Sequence, residues 1–194
     1  MTKNKIKEAA VTMFAQKGYE ATSLSEIAGA VGIKTPSFYG HFQSKEQLML
    51  EIWEDLVNAY KALMEAILEE VQAQTMEEQI LGMIRGYGHY FKQHPESYYL
   101  WARMMMFPPP EFKDRTMRDC ISIEAIIYEK IAERMTEAIE RGEIKAAPIE
   151  DLLNVFTVLK EGYVQWLTFY CLEDAEKQLK SLWPLLWHGL ANNE

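Results

Sequence analysis

Cysteine is scarce: the chain has 194 residues and only two of them, Cys120 and Cys171, far apart and each in a stretch of helical periodicity. With no CxxC pair and no Cys/His cluster, neither a disulfide framework nor a zinc site is expected, and no metal is assigned. Alternating strand-like runs are also lacking. No long apolar run is free of charge, because the most hydrophobic window, VFTVLKEGYVQWLTFYCL at 155–172, carries Lys160 and Glu161 near its middle. A bilayer would penalise both, so no membrane span and no membrane partner is expected. The opening MTKNKIKEAAVTMFA sets basic residues before an apolar stretch, but Glu8 and Thr12 interrupt it and no small-residue cleavage site follows. A secretion signal is therefore not expected, which leaves the cytoplasm. Internal repeats and low-complexity tracts are missing, and Pro108 to Pro110 is the one stiff connection, expected to be extended. The catalytic patterns GxSxG, HExxH, GxGxxG and the P-loop are absent. None of His41, His89, His94 and His188 follows a Glu by three residues, as a helical di-iron site would need. No enzyme and no cofactor is expected.

What the chain does have is a hydrophobic content of 48%, enough for one sizeable core or for a small module joined to a larger one. Its charge is unevenly spread. Residues 1–47 hold six Lys and four Glu, a net +2, while residues 48–194 hold fourteen Lys and Arg against twenty-five Asp and Glu, a net −11, which together make the −9 of the whole. A mildly basic head on an acidic body suggests that only the head meets a polyanion.

Nearly every segment repeats with a helical period, so the fold expected is all-α with about nine helices. Ile6, Ala9, Ala10, Met13 and Phe14 make one apolar stripe on a first helix that Gly18 can end. Ser23 and Glu26 have the spacing of a capping box for a short second helix, whose buried face is Leu24, Ile27, Ala28 and Val31 and which Gly32 stops. Thr35 is expected to cap a third helix with Pro36 at its first position. Ser44 and Gln47 repeat the box for a long fourth helix reaching about Val71. Further helices are expected near Met76 to Gln93, Glu96 to Phe107, Lys113 to Arg141, Pro148 to Leu172 and Asp174 to Leu190.

The second and third helices, with a turn at Gly32, have the proportions of a helix-turn-helix, whose second helix enters the DNA major groove. Ile33, Phe38 and Phe42 would tie the third helix to the core, leaving Pro36, Ser37, Tyr39 and Gly40 outward. Gly40 leaves room for close approach to base edges, and Tyr39, His41 and Lys45 are placed for phosphates, as is the start of the fourth helix at Ser44. From Lys3 to about Leu48, and above all in ATSLSEIAGAVGIKTPSFYGHFQSKEQL, the sequence resembles the DNA-binding domain of the TetR family of transcriptional regulators. The resemblance implies a DNA-binding head at residues 1–47 and a helical ligand-binding and dimerisation domain at 48–194. It implies a homodimer on a palindromic double-stranded operator, acting as a repressor released by a small-molecule effector. Carried over by position, Thr22, Ser23, Tyr39, His41 and Lys45 correspond to phosphate contacts, and Lys34, Thr35, Pro36, Ser37 and Gly40 to the groove-facing set. Gly40 stands where the family more often has a bulkier residue.

Aromatics and methionines crowd the second half. Residue by residue they read as core, but as a group they suit a cavity for an apolar or aromatic ligand, because methionines repack around variable shapes. The candidate lining is Trp53, Tyr60, Tyr87, Tyr90, Tyr98, Trp101, Met105, Tyr163 and Trp166. Arg85, His89 and Arg103 would favour an acidic ligand and Glu161 a cationic one, and the sequence leaves this open. The last two helices carry more apolar surface than a lone hairpin can hide, so a dimer through Phe156, Tyr163, Leu167, Leu182 and Leu186 is expected, with Gly162 allowing close approach. A helical enzyme without a recognisable motif, or an adaptor binding protein through its acidic face, are the competing classes.

Overall fold

Helical periodicity becomes helix along most of the chain. The computed structural model describes residues 2–192, and among these the helices are α1 (Thr2–Lys17), α2 (Leu24–Ala30), α3 (Thr35–Phe38), α4 (Lys45–Glu70), α5 (Met76–Gln93), α6 (Pro95–Met106), α7 (Lys113–Glu140), α8 (Ile149–Phe169) and α9 (Leu172–Leu190). The all-α expectation holds, and the only strand-like feature among the described residues is an isolated bridge between Ile144 and Ala191. The proline run is only half extended. Pro109 has φ −56° and ψ 143°, but Pro110–Phe112 tighten into a 3₁₀ turn that leads straight into α7.

The structure divides into two compact units. One comprises the chain through Tyr60 together with His94–Ser122, and the other Lys61–Gln93 together with the chain from Ile123 onward. A division at residue 47 follows the order of the chain; the packing instead adds α6, the 3₁₀ turn and the start of α7 to the N-terminal helices. Helices α4 and α7 each contribute to both units.

In the first unit Ile6, Ala10 and Phe14 bury the α1 stripe against Ile27, Ala28, Phe38, Phe42, Trp53, Leu100 and Met104. Helix α3 is four residues long and could not persist alone. Its one fully buried side chain, Phe38, at 0% exposure, holds it down, with burial worth about 2 kcal/mol. In the second unit α8 packs on α5 and α9. The close approach lies at Gly88 of α5, where a Cβ would fall 2.6 Å from the Tyr163 ring and 2.9 Å from Leu167. Gly162, expected to allow close approach either across a dimer or within one subunit, has nothing within 4 Å of where a Cβ would sit and lies on the exposed face of α8, so it serves no packing within the chain.

Candidate nucleic-acid interface

The short third helix is positioned by what precedes it. Ser23 Oγ accepts from the Glu26 N–H at 3.2 Å while Glu26 Oε2 accepts from the Ser23 N–H at 2.9 Å, so the capping box is complete. Glu26 also accepts from Lys17 Nζ at 2.8 Å, and this bond, with those from Ser23, holds its carboxyl far below the ordinary value, at about 2. Gly32 makes the turn at φ +74°, a region side-chain-bearing residues avoid, and the Ile33 N–H then donates to the Ala28 carbonyl at 3.0 Å. Thr35 does not cap α3. The cap is Lys34, with no side-chain hydrogen bond, and Thr35 is already inside the helix. At α4 the second capping box is half made: the Gln47 N–H donates to Ser44 Oγ, but Gln47 Oε1 accepts from the Gln43 N–H, one residue before the cap.

Lys34, Pro36, Ser37, Tyr39 and Gly40 are exposed, and Thr35 and His41 half-buried, so the residues expected to face the groove are open to solvent, Thr35 in part. Tyr39 is 56% exposed and braced edge-on by Phe38. No carboxylate occurs between Glu26 and Glu46 in the sequence. A Cβ at Gly40 would meet only the Ser37 carbonyl, at 3.4 Å, an ordinary contact, so the fold itself does not require glycine there.

Three of the expected phosphate ligands are spent inside the protein. Thr22 is 1% exposed and its hydroxyl donates to the Gly18 carbonyl at 2.8 Å, so it holds the α1–α2 turn and is not a free donor. Ser23 Oγ serves the capping box. Lys45 Nζ donates to the carbonyls of Tyr19 at 2.8 Å and Thr22 at 3.1 Å, and lies 4.2 Å from the centre of the Tyr19 ring. Of the other lysines in this region, Lys3 pairs with Glu51, Lys7 with Glu51 and Asp55, and Lys17 with Glu26. Lys5 and Lys34 have no carboxylate partner among the described residues. The net +2 of the head thus overstates the cationic charge available to a ligand, and most of the candidate contact surface is neutral.

The nine aromatic and methionine candidates fall into two groups. In the first unit the Trp53 ring stacks on Trp101 at 5.0 Å, and Tyr60 lies 5.1 Å from Trp101. Trp53 Nε1 donates to Asp119, Tyr98 is beside Tyr99, and Met105 Sδ accepts from Cys120. In the second unit Tyr87 and Tyr163 are buried, with Tyr87 Oη donating to Glu161 at 3.1 Å and Tyr163 Oη to Glu176 at 2.6 Å, while Tyr90 contacts Phe91 and Trp166 is half-buried.

The dimer candidates need a correction within the same helices. Phe156, Tyr163 and Leu167 are buried inside the second unit, at 1%, 2% and 4% exposure, because they share the α8 stripe that packs on α5. The exposed apolar face of α8 is Val155, Val158 and Phe169, and that of α9 is Leu182 and Leu185. Leu186 is half-buried. Sequence spacing alone found an apolar helix but could not say which stripe faced inward.

Sequence reading also missed a half-buried polar network. Glu176 accepts from Arg85 Nε, His89 Nε2 and Tyr163 Oη. Burial pushes the Glu176 carboxyl up, but the Tyr163 and His89 bonds and the Arg85 charge outweigh it and hold the group below its ordinary value. Lys160, at 1% exposure, lies in the same buried stripe as Phe156 and Tyr163, with Nζ over the Tyr87 ring and 3.3 Å from Glu161. Its spacing with Phe156 and Tyr163 was the available signal. No cluster of three or more metal-ligating side chains occurs among the described residues, and no described helix is long and apolar enough to cross a membrane.

A capped helix, a glycine turn and a short helix with an exposed, acid-free face, set in an otherwise helical chain, have the arrangement of a helix-turn-helix. Residues 6–52 match the model for bacterial regulatory proteins of the tetR family. It is 32% identical over 94 residues to the uncharacterized HTH-type transcriptional regulator YerO of Bacillus subtilis, a match covering 48% of this chain and 32% of YerO. Over 58 residues it is 38% identical to IcaR, the negative transcriptional regulator of the biofilm operon icaADBC in Staphylococcus epidermidis, covering 30% of this chain and 31% of IcaR. Such matches span about a third of the relatives' length. In fold, the ketosteroid transcriptional regulator KstR2 of Mycobacterium tuberculosis superposes with a TM-score of 0.73 at 18% identity, covering 98% of this chain and 95% of that one. Each of these proteins is named as a transcriptional regulator.

Proposed function

We propose that this chain is a ligand-responsive repressor that binds a palindromic operator as a homodimer in the cytoplasm and is released by a small apolar or aromatic effector held in its helical body. The observation that carries the reading is the exposed, acid-free cluster of Lys34, Pro36, Ser37, Tyr39 and Gly40 behind a fully capped α2. Tyr39 and His41 reach phosphates, and Thr22, Ser23 and Lys45 act from behind by fixing the turn. Repression is favoured by IcaR, a negative regulator, and an apolar effector by KstR2, a ketosteroid regulator.

A second copy covers Val155, Val158, Leu182 and Leu185 in a four-helix bundle, with Gly162 on the same face. Two recognition helices then stand about 34–36 Å apart, one turn of DNA. Helices α4 and α7, which enter both units, carry the coupling, and a hundredfold loss of operator affinity on effector binding corresponds to about 2.7 kcal/mol.

The test is fluorescence anisotropy on DNA from the gene's upstream region against scrambled DNA, over a salt series, with Tyr39→Ala and Lys34→Ala. Sequence-specific binding lost in Tyr39→Ala, with a shallower salt dependence in Lys34→Ala, is the expected result. Equal affinity for both DNAs in all three proteins would end the reading. Sedimentation of Val158→Arg with Leu185→Glu as a monomer, where the wild type is a dimer, tests the interface.

A further inference from the structure

We infer that the first unit holds a site of its own for a small amphipathic anion, in a crevice between the α1–α2 turn and α6. The crevice encloses about 210 Å³, below the roughly 300–1,000 Å³ of sites for drug-sized ligands. Met49, Leu100 and Met104 form its buried apolar wall, and the exposed Phe107 stands at its edge. Methionines adjust around a flexible chain, so the wall suits a short acyl tail.

Charge selects the head group. Arg103, in the last turn of α6, lines the crevice, and its guanidinium makes no hydrogen bond or ion pair among the described residues. Its guanidinium lies against Gly18, where a Cβ would come within 2.8 Å of Nη1, so the glycine leaves it room as well as adopting φ +88°. A guanidinium at the edge of an apolar crevice lacks the carboxylate it pairs with best, and a carboxylate ligand supplies it bidentately. Lys17, the second cation of the lining, is taken up by Glu26. Glu20 is the only carboxylate in the lining, and with Glu111 and Glu46 it adds to burial in raising the Tyr19 hydroxyl to about 12, so an alkylammonium is the informative control.

The site lies beside the Tyr19 and Thr22 carbonyls that Lys45 grips, and thus at the turn that sets α2. Its existence does not depend on operator binding, and neither does its test. The full chain labelled with ¹³C-methyl methionine is titrated with octanoate and decanoate. Met49 and Met104 report on the crevice, and Met64 and Met83 on the second unit. Saturable shifts at Met49 and Met104, weakened at least tenfold in Arg103→Gln, only partly regained in Arg103→Lys and not produced by decylammonium, are expected. No saturable shift at those two methyls, shifts confined to Met64 and Met83, undiminished binding in Arg103→Gln, or equal binding of decylammonium would each overturn the inference.

Discussion

Both units pair charges at the surface and set lysines on backbone carbonyls, but they differ in how much charge they draw inward. In the first, lysines pair at the surface or grip backbone carbonyls, and the polar bonds shape turns: Thr22 and Lys45 hold the segment between α1 and α2, and Ser23 with Glu26 starts α2. In the second, some charge also goes inside, wholly or in part. Lys160 is buried over Tyr87, and Glu176 gathers Arg85, His89 and Tyr163. A reading head must present a defined small surface, and local bonds in tight turns achieve that. In the helical body a half-buried network helps instead to fix which way the helices pack, since a misplaced partner leaves a partly desolvated charge.

This contrast can be broken most directly at Phe38. Because α3 has one fully buried anchor, Phe38→Ala should cost about 3–5 kcal/mol in urea denaturation, and the first unit should lose amide protection before the second.

Tyr163→Phe probes the second unit. It keeps the shape and removes one donor to an ionised carboxylate, so a loss of about 1.5–3 kcal/mol is expected by thermal melting. The same network sets a pH dependence. Glu176 has a folded pKa below its ordinary 4.5, so its contribution is present above that value and is lost as pH falls through the lower, folded one. Glu176→Gln should therefore flatten the acid limb of the stability profile, and an unchanged limb would show that the network is not its source.

Lys45→Met should cost about 1 kcal/mol, since the lysine is half-exposed and its two carbonyl bonds are partly replaced by water. Its operator affinity should fall with the loosened turn, whereas Lys34→Ala should leave the melting temperature within error. Matching stability in the two variants would mean that Lys45 is not a turn clamp. The smallest effect is at Gly40→Ala. With only an ordinary contact at 3.4 Å, it should gain about 0.4–1 kcal/mol in stability, while losing operator affinity if close approach to base edges is what the glycine serves.

Much of this was legible in residue spacing, because helix signals are local. The stripe of α1, the Ser23 box, the Gly32 turn and the bounds of α5 follow from a 3.6-residue period and from caps a few residues long. The outward set of α3 was legible for the same reason, since one turn of helix fixes which side chains oppose Phe38. Local patterns fail where two readings share the same residues. Thr22 and Lys45 have the chemistry of phosphate ligands, and only the path of the α1–α2 turn brings carbonyls within reach of both.

The sequence by itself determined the helical class, the order of the helices and the face that α3 turns outward, because each depends on residues a turn or two apart. The tertiary structure decided the rest: which stripe of α8 lies inside, why Gly88 admits Tyr163 and Leu167, the gathering of Arg85, His89 and Tyr163 on Glu176, and the packing of α6 with the N-terminal helices. Those depend on residues tens of positions apart, and only chain packing makes them neighbours.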